Sequence, residues 1–218
     1  MESPGLRERK KARTREAILE AAFDRFETSG FDAVSVTEIA AAAEVSKPTL
    51  FAYFPTKEDL VLRRFLGDDE GPARTVRERP ANTPALQALR QDFLDRLARR
   101  DPLTGLSDTA QAITFHSLLY TTPTLMSRLT GYMLDHERAL ADALRAAGQP
   151  NDEFTAHLLA AQIFGAQRIL TEHNARDIRS GHTADDVHPA AVARTEAAFD
   201  LLEHGPTPRS ARGAQSDR

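Results

Sequence analysis

Cysteine is absent from the 218-residue sequence, which excludes disulfide stapling, thiolate chemistry and zinc sites built on sulfur. Long apolar runs are missing too: nowhere do 18 uncharged apolar residues follow one another, so no segment reads as a membrane-spanning helix and no membrane partner is expected. Glu16, Glu20 and Asp24 interrupt the stretch behind the basic N-terminus, which removes the uncharged core that a secretion signal requires and points to a cytoplasmic protein. No phosphate-cradling glycine loop, nucleophile elbow or paired-carboxylate motif occurs, and His136-Glu137 lacks the second histidine of a zinc-protease helix. His116, His136, His157 and His173 have no second histidine four positions on. No catalytic residue, metal or cofactor is therefore expected, and an enzyme would need a site assembled from distant residues.

What the chain has instead is a globular balance, with 41% hydrophobic and 28% charged residues, enough to form a core. The net charge of -4 is unevenly spread. Residues 1–15 carry six basic side chains (Arg7, Arg9, Lys10, Lys11, Arg13, Arg15) against two acidic ones, and residues 16–64 carry five against nine. For a polyanionic partner this distribution matters more than the sum.

Alternation of β-branched and polar residues is nearly missing, and Ala, Leu, Arg and Glu dominate between glycine and proline signals, so the expected fold is all-α. Ile18, Ala22 and Phe26 recur at spacings of four, with Leu19 and Phe23 beside them, giving the apolar face of a helix over 14–29 that Gly30 ends. Ser35-Val36-Thr37-Glu38 is a capping box that opens a short helix bearing Ile39, Ala40 and Ala43. Glu44 and Val45 form a turn, and Ser46 caps a third helix with Pro48 in its first turn, where a missing amide proton costs little. Pro55 closes that helix and Thr56-Lys57-Glu58-Asp59 opens another. Gly71, Pro72, Pro80 and Pro84 mark a mobile connection, after which helices are expected over 84–99, 107–119, 124–147, 152–176 and 184–204. The expected division is a basic, disordered arm at 1–13, a helix-turn-helix domain at 14–68, a helical effector-binding and dimerisation domain at 69–204, and a disordered tail at 205–218.

Three short helices, the last two joined by a tight turn, make a helix-turn-helix. In the third, Leu50 and Phe54 face inward and leave Lys47, Thr49, Ala52 and Tyr53 outward, small and polar groups of the kind a DNA major groove admits. At these residues, from Gly30-Phe31 through Ser35-Val36-Thr37-Glu38-Ile39-Ala40 to Val45-Ser46-Lys47-Pro48-Thr49-Leu50-Phe51-Ala52-Tyr53-Phe54-Pro55-Thr56-Lys57-Glu58-Asp59-Leu60, the chain resembles the tetracycline-repressor-like (TetR family) transcriptional regulators. The resemblance covers residues 14–62; beyond them it extends only to helicity and length. It implies that Thr37, Lys47, Pro48 and Thr49 lie near base edges with Ser46 beside them, that Ser35, Tyr53 and Lys57 hold phosphates, and that Arg9 and Arg13 reach an adjacent minor groove. Lys57, in the first turn of its helix, would add an ammonium to unpaired amides. Phe51 stands where the family often has tyrosine and reads as packing rather than contact.

The resemblance also implies a homodimer, paired through the last two helices at about 152–176 and 184–204. Leu158, Ile163, Ile169 and Leu170 on one, and Phe199, Leu201 and Leu202 on the other, supply apolar bands, although an internal core would look similar. Phe93, Leu97, Phe115, Leu119, Met126, Leu129, Tyr132 and Met133 are expected to wall a cavity for a small apolar effector, with His116 and Gln162 orienting it. The expected function is a DNA-binding transcriptional repressor that grips a palindromic double-stranded operator as a homodimer and is released by an unknown small-molecule effector. A constitutive DNA-binding regulator without effector is the alternative, distinguished by whether the bundle encloses a cavity.

Overall fold

The computed structural model describes residues 5–66, 71–148, 150 and 152–205. Among them are ten α-helices, one 3₁₀ helix and no strand. The helices are α1 (Leu6–Ser29), α2 (Val36–Ala42), α3 (Lys47–Tyr53), α4 (Lys57–Leu66), α5 (Pro72–Glu78) and α6 (Ala85–Ala98), then a 3₁₀ helix (Pro102–Thr104), α7 (Ala110–Thr121), α8 (Pro123–Ala146), α9 (Glu153–Arg179) and α10 (Ala184–His204). Among the described residues no helix is long and apolar enough to cross a membrane.

The caps form as the local chemistry requires. The Ser35 amide donates to the Glu38 carboxylate at 2.8 Å, the Glu38 amide donates to the Ser35 hydroxyl at 3.2 Å, and these bonds hold the Glu38 carboxyl below its ordinary range. Ser46 accepts from the Thr49 amide at 3.1 Å to open α3. Thr56 and Asp59 exchange reciprocal bonds at 3.1 Å to open α4.

Two expectations fail. Residues 6–13 are not a disordered arm, because α1 begins at Leu6: after Gly5 the arm consists of helix formers with no proline or glycine to stop them. The expected mobile connection contains α5, with Pro72 in its first turn and Ala73 and Val76 fully buried. The division expected after residue 68 falls at 67–70, and nearly all of the expected tail at 206–218; both lie outside the described residues.

Two apolar cores organise the molecule. One gathers α5, α6, α8, α9 and α10 around Leu89, Phe93, Leu97, Leu140, Ile163 and Phe199. The other holds Ile18, Phe23, Phe26, Ile39, Leu50, Phe54 and Leu60, and takes in Phe115, Leu118, Leu119 and Leu125 from α7 and α8. A file of rings crosses from one part to the next: Phe31 to Phe26 (5.2 Å between centroids), Phe26 to Phe23 (6.2 Å), Phe23 to Phe65 (5.5 Å), Phe65 to Phe115 (4.2 Å) and Phe115 to His116 (5.1 Å). The helix-turn-helix is thereby seated on α7 through shared packing.

His116 ends that file. It is buried, and its Nε2–H donates to the Pro102 carbonyl at 2.8 Å. Burial pushes its pKa below the ordinary histidine value, the Pro102 bond opposing this and Arg179 adding to it. The native ring stays neutral where the unfolded ring takes up a proton, so stability falls as pH drops below about 6.5. His116→Gln, which keeps a donor for Pro102, is expected to flatten that fall in urea denaturation run between about pH 7 and pH 5. An unchanged pH slope would assign the loss to other groups.

Candidate nucleic-acid interface

Four residues, 43–46, separate α2 from α3. Glu44 sits at φ +54°, and the Val45 amide returns to the Ala40 carbonyl at 2.9 Å. Leu50 and Phe54 are fully buried, so one side of α3 is locked onto the core and the other is presented outward. That outward face consists of Lys47, Pro48, Phe51 and Ala52, all exposed, with exposed Thr37 nearby in sequence on α2. Thr49 is half-buried, and its hydroxyl shares a 2.7 Å hydrogen bond with that of Ser46. Tyr53 is half-buried against the core. Phe51, expected as packing, is 38% exposed, with the Lys47 ammonium 5.9 Å from its ring centroid.

Extension of α1 to Leu6 changes which basic residues join this surface. Arg7, Lys10, Lys11 and Thr14 fall on one face of the helix and line an open groove together with Ser46, Thr49 and Tyr53. Arg9 and Arg13 are exposed outside it. The spacing of 7, 10, 11 and 14, continued by Ile18 and Ala22, was present in the sequence and is legible only once the segment is treated as helical.

Lys57 departs from expectation. Its Nζ donates to the carbonyls of Phe31 at 2.7 Å and Val34 at 3.1 Å and lies 4.2 Å from the Phe31 ring centroid. It ties α4 to the loop between α1 and α2 instead of presenting its charge to a phosphate. Lys57→Met leaves two partly buried carbonyls without a donor and is expected to cost about 1–3 kcal/mol in denaturant unfolding. The salt dependence of DNA affinity should stay as in the wild type; a flatter salt slope at unchanged stability would restore the phosphate role.

The residues expected to wall an effector cavity do not converge. Phe93 and Leu97 are buried in the C-terminal core, whereas Phe115, His116 and Leu119 are buried where α7 meets the helix-turn-helix. Leu129 packs against that same core, Met133 is half-buried and Met126 is 36% exposed. Gln162 is exposed on α9, on the side that carries Leu158 and Ile169. Apolar spacing marks a face of a helix and does not say whether close packing or a cavity lies opposite.

Tyr132 alone of that set borders an open groove of about 880 Å³ between α4 and α8. Asp59 and Arg63 line one side, Arg128, Gly131 and His136 the other. Asp59, with a nearly buried side chain, accepts from Arg128 of α8 at 3.2 Å. The rings of Tyr132 and His136 lie 4.0 Å apart, and the Tyr132 hydroxyl points at the Leu66 carbonyl, 3.4 Å away. At Gly131 an added Cβ would meet no atom within 4 Å.

The band expected on the last two helices divides by face. Ile163, Leu170 and Phe199 point into the core, whereas Leu158 (47%), Ile169 (49%) and Leu201 (54%) are exposed, as are Ala190, Ala193 and Ala197. Near the end of α10, Asp200 and Glu203 approach His204, but Arg90 holds both carboxylates, at 2.7 and 3.1 Å.

Residues 18–63 match the model of the family described as bacterial regulatory proteins, tetR family. Over 171 residues the chain is 30% identical to the HTH-type transcriptional regulator TcmR of Streptomyces glaucescens, covering 77% of this chain and 76% of that one. It is 33% identical over 146 residues to the HTH-type transcriptional regulator RutR of Escherichia coli (strain K12), covering 64% and 66% of the two chains. Among solved structures, NalD, the secondary repressor of the MexAB-OprM multidrug efflux pump in Pseudomonas aeruginosa, shares the fold with a TM-score of 0.56 at 15% identity, covering 85% of this chain and 96% of that one. Thermus thermophilus FadR in complex with lauroyl-CoA shares it with a TM-score of 0.51 at 23% identity, covering 93% and 100%. On its helix-turn-helix, its all-helical architecture and these likenesses, the chain belongs to the tetR family of DNA-binding transcriptional regulators.

Proposed function

We propose that this protein is a repressor that holds a palindromic operator as a homodimer and lets go when a small effector occupies the groove between α4 and α8. The observation that carries the reading is the position of that groove. One wall is the helix whose Leu60 and Val61 anchor the core that seats α3; the other is α8, and the Asp59–Arg128 pair spans the two. A molecule that engages Arg128 in place of Asp59 binds one arrangement of α4 and α8 better than the other, which is what a release signal requires.

The groove differs from the apolar cavity expected from the sequence. Its lining sets Arg63, Arg128, Asp135 and His136 beside Leu62, Leu66 and Ala139, which suits an effector with an ionisable group and some apolar area. A ligand site in this architecture is supported by Thermus thermophilus FadR, which shares the fold and is in complex with lauroyl-CoA. Dimerisation through α9 and α10 is supported by their exposed Leu158, Ile169, Leu201 and the small Ala193 and Ala197, which permit close helix approach. On DNA, α3 of each protomer would enter the major groove, while Arg7, Lys10 and Lys11 meet phosphates, making affinity steeply salt-dependent.

Gly131→Leu tests the effector reading, because a Cβ there meets no atom within 4 Å and the rest of the side chain intrudes on the groove. A screen of polar metabolites for release of a labelled operator duplex supplies the effector. The variant is expected to bind operator as the wild type does and to lose its response to that compound. A variant that binds DNA and still responds would remove the effector from this groove, and a wild type that no compound releases would favour constitutive binding.

A further inference from the structure

We propose that Phe51 selects thymine in the operator by packing its ring against the 5-methyl group, so that each half-site is read largely through methyl contacts. The inference rests on α3 entering the major groove. Of the four exposed side chains on the outward face of α3, three (Pro48, Phe51 and Ala52) are apolar and have no hydrogen-bonding group for a base edge. The Thr49 hydroxyl, a candidate for such a bond, is already shared with Ser46 at 2.7 Å. Lys47 is the one exposed cation of this face.

An exposed phenylalanine on a surface that docks with DNA needs an apolar counterpart. The major groove offers one apolar group that projects from a base edge, the thymine methyl; the other groups that distinguish the bases there are hydrogen-bond donors and acceptors. Phe51 has no hydroxyl with which to reach a phosphate, so its contribution on DNA is the burial of apolar area. The Lys47 ammonium, 5.9 Å from the ring centroid, holds a cation next to the ring and faces base edges or phosphate beside the thymine that the ring covers. Pro48 and Ala52 are small enough to let the ring approach, with further methyl groups within their own reach.

Deoxyuridine differs from thymidine only in lacking the methyl group, which makes the test specific. The full-length protein first selects its operator duplex from a random pool, and each thymine of the half-site is then replaced in turn by deoxyuridine. At one position the wild type is expected to bind about fourfold more weakly per half-site, the equivalent of one methyl group left unburied. In Phe51→Ala that penalty should vanish, while penalties at other thymines persist. A penalty at that position that survives in Phe51→Ala, a scan with no penalty at all, or a selected half-site without thymine overturns the proposal. Ala52→Glu, on the same exposed face, separates this from failure of the underlying reading. If it abolishes operator binding while the deoxyuridine scan is flat, α3 is in the groove and only the role of Phe51 falls. If it binds as tightly as the wild type, α3 is not in the groove. Circular dichroism confirms that both variants are folded.

Discussion

Gly105→Ala is expected to destabilise the protein by about 3 kcal/mol. Gly105 sits at φ +74°, a conformation that costs an L-residue about 1–2 kcal/mol. A Cβ there would lie 2.2 Å from the Thr171 carbonyl oxygen and 2.8 Å from the Ala175 amide nitrogen. Both are backbone atoms of α9, which cannot rotate aside, so the 3₁₀ helix itself must move, and overpacking of this kind costs about 1–3 kcal/mol more. The movement strains the bonds that seat this segment: Thr171 to the Leu103 carbonyl at 3.0 Å, Asn174 to the Thr104 carbonyl at 2.9 Å, and His116 to the Pro102 carbonyl at 2.8 Å. For a domain of this size the loss corresponds to a melting temperature lower by about 6–12 °C. A shift below about 2 °C in thermal unfolding by circular dichroism would show that the segment is not held against α9.

The second large effect concerns assembly. The double variant Leu158→Glu, Leu201→Glu is expected to convert a dimer into a monomer and to weaken operator binding by at least about 100-fold. Both side chains are about half-exposed in the protomer, so the variant should fold and melt near the wild-type temperature. In the symmetric pair proposed above each substitution would appear twice and place four like charges in a desolvated seam of leucine, isoleucine and alanine. Loss of pairing makes the second half-site contact a separate event and removes the gain of about 10²–10⁴ that linkage confers. Sedimentation velocity and operator binding by fluorescence anisotropy check the two halves of the expectation. A variant that sediments as the wild type does would move the dimer contact off α9 and α10.

Much of the helix-turn-helix was legible because its signals are local. The Ser35–Glu38 box, the Ser46 cap, the buried Leu50 and Phe54, and the Thr56 start of α4 all depend on residues within four positions of one another. The same locality explains what was missed at the N-terminus. Charge counting identified a basic segment, but only its continuation of the α1 periodicity shows that Arg7, Lys10 and Lys11, rather than Arg9 and Arg13, turn toward α3. Lys57 was misread because its position in a first turn suggests an anion site, whereas its partners, the Phe31 and Val34 carbonyls, lie 26 and 23 residues away.

The candidate effector residues show the limit most clearly. Phe93, Leu97, Phe115 and Leu119 have the spacing of a buried face, and each is buried. Yet they serve two different cores, and the groove between α4 and α8 takes Arg63, Arg128, Asp135 and His136 into its lining beside Leu62, Leu66 and Ala139, a mixture that no apolar periodicity marks.

By itself the chain's order of residues determined that it is helical, where α2, α3 and α4 begin, and that it belongs among helix-turn-helix regulators, since caps and periodicity act over a few bonds. Only the tertiary structure decided that Phe115 joins the DNA-binding part, that Lys57 is tethered, that Phe51 stays partly exposed and that Leu158 faces outward. Each of those depends on which surface arrives from far along the chain, and a helical period specifies a face without specifying its neighbour.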